Sequence, residues 1–558
     1  MLLEAFVARG LTDLVLSPGS RSQALALEAA RLERDGALRL HVRIDERVGC
    51  FTALGIARES GAPVLVVTTS GTAVAELHAA TLEAAHAGVP LVLLTADRPA
   101  ELHGTGSNQT TAQVGLFGPL VPVIDVEAPG ADPAADPDRR AAGLVDDVLA
   151  RIARRPGPVQ LNLAFREPLS GPSGGEGFAP AAAAPETVEP APEAVEPAER
   201  SWAFRPGPEI VELAAVPGTV VVAGADAGAE AEELARALSA PLLAEVSSGA
   251  RFGPHLVPAY RELLRTEGLG DRIERVVVFG HPTLSREIPE LLRRPGLEVV
   301  VVRGRALEPF DPARSARLVD GVRATGPGHP TWGRSWVGRW VHASRALLEQ
   351  PEPPAANLSD DYAKRSRFAR AQLEVLREPV TRRLLVEAVW NATWPHDRLV
   401  LGASRLIRVL DGVATGRRIT VHANRGLAGI DGTVATATGV ALAAARAEAP
   451  GLTRVLLGDL ALQHDVGALL PVAGEQLPPL QVIVGDDGGG TIFDGLEVAG
   501  NAERELFDRV MYTPHAMDLA ALAAANGWEH RLVTTRGDLE AGLAPSPGRV
   551  LVEVRLAR

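Results

Sequence analysis

The sequence predicts an α/β protein built from three doubly wound parallel sheets. Short runs of Val, Leu and Ile recur along the chain, and each is bounded by glycine or polar residues and followed by a stretch of helical character. Such runs are typical of strands that are covered by helices on both faces. Because strand, polar loop and helix alternate, we expect parallel strands joined by crossover helices.

The first region, residues 1–170, contains four such repeats, which predict a parallel sheet with helices on both faces. Residues 171–200 are rich in Pro, Ala, Glu and Gly without a hydrophobic period, which is typical of a linker. We expect a middle domain at 201–350, a second linker at 351–378 and a last domain at 379–558. Strands are predicted at 13–16, 41–44, 64–68, 89–95, 220–223, 276–280, 297–302, 399–402, 419–423, 455–457, 480–484 and 550–554.

Composition excludes several classes of function. Of 558 residues, 46% are apolar and 22% charged, which is typical of a soluble globular protein, and the net charge of −13 argues against a broad nucleic-acid surface. No apolar run is long enough to span a membrane, and the N-terminus lacks the layout of a signal peptide. Cys50 is the only cysteine, which fits a reducing compartment, and we expect a cytoplasmic protein.

The residues that follow two predicted strands of the last domain indicate a metal site. The run 455–457 meets Gly458 and Asp459, and the run 480–484 breaks into Asp486, Asp487 and three glycines. Ligands of open α/β sheets bind beyond the carboxyl ends of the strands, so both loops can reach one ligand. Oxygen ligands beside a phosphate suit Mg²⁺. Either motif alone would be taken for a turn, and Asp486 is the weaker alternative to Asp487.

These motifs resemble the metal–diphosphate motif of the thiamine-diphosphate-dependent enzymes, with Asp487 where that family usually has Asn. The resemblance implies pyrimidine, middle and pyrophosphate domains, and thiamine diphosphate bound with Mg²⁺ or Mn²⁺. It implies that Glu46 activates the aminopyrimidine of the cofactor, and that Ile430 holds the cofactor in its bent form. The implied metal ligands are Asp459, Asp487 and Gly489, and the implied cofactor contacts are Glu46, Ile430, Gly458, Asp459, Leu460, Asp487, Gly489, Ile492 and Phe493.

Five further segments, 17–22, 45–47, 95–99, 107–109 and 424–426, resemble the members of this family that act in menaquinone biosynthesis. These members are transferases that decarboxylate 2-oxoglutarate and add the resulting carbanion to isochorismate. Gathering their carboxylates beside a diphosphate requires fixed cations. By the resemblance, isochorismate is bound by Ser20, Arg21, Arg98, Gln109 and Arg286, and the part derived from 2-oxoglutarate by Ser404, Arg408 and Arg425. Asn108 contacts the intermediate, and Gln109 moves protons.

The resemblance also implies a homodimer or homotetramer with active sites at the dimer interface. In family members the pyrimidine domain of one subunit faces the pyrophosphate domain of another, so Glu46 would act on a cofactor held by a partner chain. No histidine pair has metal-ligand spacing, and we assign no histidine a catalytic role. Two alternatives stay open: another thiamine-diphosphate-dependent decarboxylase or carboligase, and a non-catalytic binding protein of the same fold.

Overall fold

A computed structural model of the chain describes residues 1–128, 136–170, 209–326, 332–349, 362–446, 451–475 and 477–558. Within these ranges the strands form three open sheets and one two-stranded ladder, and the strand pairs in them are parallel. The predicted α/β class is therefore confirmed. The predicted linker at 171–200 lies outside the described residues, and the domain boundaries stay predictions.

The first sheet carries helices on both faces. Its strands are β1 Asp13–Leu16, β2 Arg39–Val42, β3 Val64–Thr68, β4 Leu91–Asp97, β5 Val123–Val126 and β6 Val159–Ala164, and its helices are α1 Leu2–Val7, α2 Gln23–Arg34, α3 Glu46–Ser60, α4 Thr72–Glu76, α5 His78–Ala87 and α6 Pro137–Arg154. The strand order is β2-β1-β3-β4-β6-β5. Strands β3 and β4 are buried along their whole length, as the continuous apolar runs predict.

The middle domain has a smaller sheet with the order β12-β11-β10-β8-β9 and a separate β13-β7 ladder. The strands are β7 Ile210–Ala214, β8 Thr219–Ala223, β9 Leu242–Ala244, β10 Arg275–Phe279, β11 Glu298–Val302, β12 Arg317–Val319 and β13 Gly321–Thr325, and the helices are α7 Glu230–Ala237, α8 Tyr260–Leu263, α9 Glu287–Leu292 and α10 Trp332–Leu348. Trp336 and Trp340 are buried on α10 with ring centroids 5.7 Å apart, so they pack the core.

The last sheet repeats the topology of the first. Its strands are β14 Arg398–Leu401, β15 Thr420–Ala423, β16 Thr453–Gly458, β17 Leu480–Asp486, β18 Glu529–Val533 and β19 Arg549–Arg555. The helices are α11 Tyr362–Arg377, α12 Arg382–Ala392, α13 Arg405–Val413, α14 Thr433–Ala444, α15 Asp459–His464, α16 Val498–Asn501, α17 Arg504–Phe507, α18 Leu519–Ala525 and α19 Arg536–Gly542. The order β15-β14-β16-β17-β19-β18 matches that of the first sheet, strand for strand.

Helix α11 occupies most of the segment that the sequence predicts to be the second linker, residues 351–378. None of its residues is buried. An exposed helix has no apolar stripe that faces a core, so it lacks the periodicity from which helices are inferred. Residues 351–361 of the same segment lie outside the described residues.

The first and last domains are joined by the crossing of α3 and α14, the helices that follow the second strand of each sheet. A Cβ on Gly55 of α3 would lie 1.9 Å from the carbonyl oxygen of Thr436, and a Cβ on Gly439 of α14 would lie 2.0 Å from that of Thr52. Only glycine at both positions permits this close approach of the two backbones. Both helices belong to one apolar core that draws side chains from both domains.

Candidate active site

A cavity of about 270 Å³ lies at the carboxyl edge of the last sheet, where the loops after β14, β16 and β17 meet. Its position is the one expected for a ligand site in an open α/β sheet. The loops bring together most residues that the sequence assigns to the last domain. The predicted residues in its lining are Ser404, Arg408, Ile430, Gly458, Asp459, Leu460, Asp487, Gly489, Ile492 and Phe493.

Asp459 begins α15 at the tip of β16 and is 2% exposed. Its Oδ1 accepts a hydrogen bond from the Leu460 N–H at 2.6 Å, and its Oδ2 accepts one from the Gly489 N–H at 3.0 Å. Burial raises the pKa of Asp459, and the charge of Asp487 raises it further. The two carboxylates therefore lie close together in an enclosed space and repel each other. A bound cation would reduce this repulsion.

Asp487 faces the same cavity from the tip of β17. Its Oδ2 accepts hydrogen bonds from Arg382, at 2.7 Å from Nη2, and from the hydroxyl of Thr491 at 2.6 Å. Carboxylates and the nearby glycine carbonyls are hard oxygen donors, so the residues present fit Mg²⁺ or Mn²⁺ bound beside a diphosphate. The Arg382 pair compensates part of the charge that Asp adds where the resembled family usually has Asn.

A histidine that the sequence did not single out lies beside this pair of carboxylates. His515 Nε2 is 3.0 Å from Asp459 Oδ2. Asp459, Asp486 and His515 each place one possible metal-ligand atom within 4.8 Å of the other two. Asp486 Oδ2 also forms an ion pair with Arg555 at 2.9 Å. Asp486 is thus adjacent to Asp459, but Asp487 is the residue that lines the cavity. His515 follows no strand and matches no motif, so no local signal could have indicated it.

Ser404 and Arg408 line the same cavity as the carboxylates. Ser404 has φ +140°, a conformation that costs a non-glycine residue about 1–3 kcal/mol and is concentrated at functional sites. Arg408 Nη1 donates to the carbonyl oxygen of Ser404 at 2.7 Å, which fixes the guanidinium at the start of α13. Burial lowers the pKa of Arg408, and the charges of Arg261 and Arg286 lower it further. Arg405, which the sequence also left unassigned, donates to the carbonyl oxygen of Thr491 at 3.1 Å.

Arg425 and Arg286 do not line this cavity, and Arg425 contacts the middle domain instead. Arg425 is 3% exposed and binds Thr283, with Nε 2.9 Å from the hydroxyl oxygen. Burial lowers the pKa of Arg425, with a further decrease from Arg408. Arg286 precedes α9, three residues after Thr283. Arg286 and Arg425 are thus both close enough to Arg408 to act electrostatically on it or be acted on by it, although the three predicted substrate-binding arginines belong to different elements.

The predicted substrate residues of the first domain form a second group, which we call the Arg21–Arg98 group. It consists of Ser20, Arg21, Arg98, Asn108 and Gln109. Arg98 Nη1 donates to the backbone oxygen of Gln109 at 2.8 Å, and the Gln109 amide donates to the carbonyl oxygen of Ser70 at 2.9 Å. Burial lowers the pKa of Arg98, and the neighbouring charge of Arg21 lowers it further. Ser20, Asn108 and Gln109 are exposed, and Gln109 has φ +57°.

Glu46 begins α3 after the second strand of the first domain. Asp45 caps that helix by accepting from the Val48 N–H at 3.0 Å. Glu46 is half-buried, and burial raises its pKa, with additions from the charges of Asp45 and Glu76. Within the described part of this single chain, neither Glu46 nor the Arg21–Arg98 group contributes to the lining of the cavity at Asp459.

Comparison with known proteins agrees with this arrangement. Residues 1–116 match the family model described as "Thiamine pyrophosphate enzyme, N-terminal TPP binding domain". The chain is similar in fold to the crystal structure of benzoylformate decarboxylase from Polynucleobacter necessarius, with TM-score 0.64, 16% identity and coverage of 100% of this chain and 98% of that one. A putative thiamin diphosphate-dependent enzyme from Mycobacterium smegmatis gives TM-score 0.63 at 16% identity, with the same coverage.

Curated relatives match over nearly their full length. The chain is 54% identical to 2-succinyl-5-enolpyruvyl-6-hydroxy-3-cyclohexene-1-carboxylate synthase of Leifsonia xyli and 52% identical to that of Clavibacter michiganensis, in each case over 100% of this chain and 95% of the relative. The synthase of Kineococcus radiotolerans is 44% identical with the same coverage. The chain belongs to the 2-succinyl-5-enolpyruvyl-6-hydroxy-3-cyclohexene-1-carboxylate synthase family of thiamine-diphosphate-dependent enzymes.

Proposed function

We propose that the protein decarboxylates 2-oxoglutarate with thiamine diphosphate and adds the succinyl-semialdehyde carbanion to isochorismate in a 1,4 sense. The product is the 2-succinyl-5-enolpyruvyl-6-hydroxy-3-cyclohexene-1-carboxylate of the family name. One observation carries the proposal: a single cavity is lined both by the carboxylates of Asp459 and Asp487 and by the guanidinium of Arg408. Such a cavity suits a metal-bound diphosphate and a substrate that carries carboxylates.

Asp459, Asp487 and the carbonyl oxygen of Gly489 would hold Mg²⁺ or Mn²⁺, and the surrounding backbone amides would hold the diphosphate. The raised pKa of Asp459 supports this assignment, because a dication favours the charged form of both carboxylates. When bound, the cofactor supplies a carbon nucleophile for the 2-oxo group and accepts the electron pair released with CO₂.

The protein's own residues orient the substrates and exclude water. Arg408 and Arg425 would bind the distal carboxylate of 2-oxoglutarate, since guanidinium groups form strong, charge-assisted hydrogen bonds with carboxylates. Ile430, Ile492 and Phe493 form apolar walls beside the space for the cofactor. Water excluded by such walls cannot protonate the carbanion before isochorismate arrives.

We further propose that the active site is completed by a second copy of this chain. Glu46, Arg21, Arg98, Asn108 and Gln109 of one subunit would face the cavity of its partner, with Glu46 protonating N1′ of the aminopyrimidine and Gln109 assisting proton transfer. The exposure of Asn108 and Gln109 and the 79% exposure of Ile44, two residues before Glu46, support a surface that another chain covers. A homodimer is then the smallest active unit.

The alternatives are less well supported. A decarboxylase for a 2-oxo acid with an uncharged side chain would have less use for the neighbouring cations of Arg286, Arg408 and Arg425. A non-catalytic binding protein would not need Glu46 at the start of α3. Among the described residues, no helix is long and apolar enough to cross a bilayer. We propose a cytoplasmic location, with the buried free thiol of Cys50 as support.

The test is isochorismate-dependent consumption of 2-oxoglutarate by the purified protein. We expect CO₂ release that requires thiamine diphosphate and Mg²⁺ and a product whose mass equals that of the two substrates less CO₂. Pyruvate and benzoylformate serve as control substrates. Turnover of either one at a rate equal to that of 2-oxoglutarate would favour the general decarboxylase, and cofactor binding without any turnover would favour the non-catalytic protein.

A further inference from the structure

Arg425 is held almost entirely by one residue of the middle domain. Its Nε lies 2.9 Å from the Thr283 hydroxyl oxygen, and its Nη2 lies 2.6 Å from the same oxygen and 3.1 Å from the Thr283 carbonyl oxygen. The remaining nitrogen, Nη1, is buried and has no hydrogen-bond partner among the residues that the structure describes. One edge of the guanidinium is therefore fixed by Thr283, and the other carries a buried donor without a partner, which is costly unless a ligand accepts from it.

The loop that carries Thr283 is itself anchored by a buried carboxyl group. Glu245, at the end of β9, is 1% exposed, and its Oε1 accepts from the Leu284 N–H at 2.6 Å. Burial raises the pKa of Glu245 to about 8, with a further increase from Asp411. A largely neutral carboxyl at neutral pH can make this hydrogen bond without the cost of a buried charge.

We propose that Thr283, held in place by Glu245, is a positioning residue that aims the free Nη1 edge of Arg425 at a carboxylate of the substrate. The inference rests on the proposed function, in which Arg425 binds the 2-oxoglutarate-derived part. The middle domain thereby contributes to substrate binding without a direct contact from Thr283. A guanidinium fixed before binding loses less conformational entropy when the carboxylate arrives, so the fixed orientation increases affinity.

Thr283→Val tests this role, because valine keeps the shape of the side chain and removes the hydroxyl. The control is Thr219→Val: Thr219 is a buried threonine of the middle domain whose hydroxyl has no hydrogen-bond partner among the described residues. We expect Thr283→Val to raise KM for 2-oxoglutarate about tenfold, the factor associated with one charge-assisted hydrogen bond, and to leave KM for isochorismate and kcat within about threefold. Thr283→Ser restores the hydroxyl and should restore KM.

A second variant tests the anchor. Glu245→Gln keeps an oxygen acceptor for Leu284 and resembles the neutral acid, so its KM should stay within about threefold of the wild type, whereas Glu245→Leu should behave as Thr283→Val does. A Glu245→Gln enzyme as impaired as Glu245→Leu would overturn the anchor role. If Thr283→Val has the same KM for 2-oxoglutarate as the wild type, the positioning role is overturned. The same holds if Thr283→Ser and Thr219→Val raise this KM as much as Thr283→Val does. A wild-type enzyme that leaves 2-oxoglutarate untouched would instead refute the proposed function.

Discussion

Replacing Arg408 by alanine should weaken the binding of 2-oxoglutarate more than that of isochorismate. The guanidinium is fixed by its 2.7 Å hydrogen bond to the Ser404 carbonyl oxygen, and burial together with Arg261 and Arg286 lowers its pKa. A cation in these surroundings gains from an anionic partner. A charge-assisted hydrogen bond contributes about 1.5–3 kcal/mol, so the variant should raise KM for 2-oxoglutarate about 10- to 150-fold.

The assay is steady-state CO₂ release with each substrate varied while the other is saturating. Arg34→Ala is the matched control, because Arg34 is 75% exposed on α2 and pairs only loosely with Asp35 at 3.5 Å. This control should leave both KM values unchanged, since an exposed pair of this kind contributes little. A larger rise in KM for isochorismate than for 2-oxoglutarate in Arg408→Ala would refute the assignment of Arg408.

Three further predictions concern catalysis, packing and pH. Glu46→Gln should leave the circular dichroism spectrum unchanged and abolish 2-oxoglutarate decarboxylation; unchanged turnover would remove Glu46 from the mechanism. Gly55→Ala should lower Tm, since the added Cβ meets a carbonyl oxygen at 1.9 Å and overpacking costs about 1–3 kcal/mol, whereas Gly143→Ala, with open space around its Cβ, should not. Burial opposes protonation of His41, but hydrogen bonds to Asp13 and Glu475 outweigh it and raise the pKa. The stabilisation by protonated His41 is therefore complete below the unfolded pKa and is lost as the pH rises through the folded pKa. His41→Gln should lower Tm more at about pH 6 than at about pH 9. Equal decreases at the two pH values would show that the charge of His41 does not contribute to stability.

The sequence predicts strands made of continuous apolar runs well and other strands less well: β6, which is buried but contains Gln160 and Asn162, and the edge strands β5 and β18 are not among the predicted strands. Strand β3 occupies 64–68 as predicted, because every residue of it faces a covered surface. Strand β2 was predicted at 41–44 but forms at Arg39–Val42. The prediction was drawn towards the apolar Ile44, which is 79% exposed. An edge strand has only one neighbour, so hydrophobicity marks its ends poorly.

The residues of the candidate site also fall into those that the sequence predicts and those that it does not. Asp459 and Asp487 could be predicted because each directly follows a buried strand, and parallel strands present their carboxyl ends at one edge of a sheet. Thr283, Glu245 and His515 could not, because they reach the site only when separate elements pack together. Their hydrogen bonds link residues that are far apart in the chain, such as the pair Arg425–Thr283. No local pattern records such a contact.

The two outer domains present different side chains at equivalent places on the same scaffold. Because the strand orders match, Arg98 after β4 corresponds to Asp487 after β17, and Glu46 after β2 corresponds to the loop of Ile430 after β15. At the position after β4, the first domain therefore offers a cation where the last domain offers a carboxylate. Bringing the two carboxyl edges together would set Arg21 and Arg98 near the anionic cofactor site, with opposite charges facing each other. Within one chain, α3 packs against α14, and the Arg21–Arg98 group lies outside the lining of the cavity at Asp459. The proposed contact between the carboxyl edges of the two sheets therefore requires a second copy of the chain.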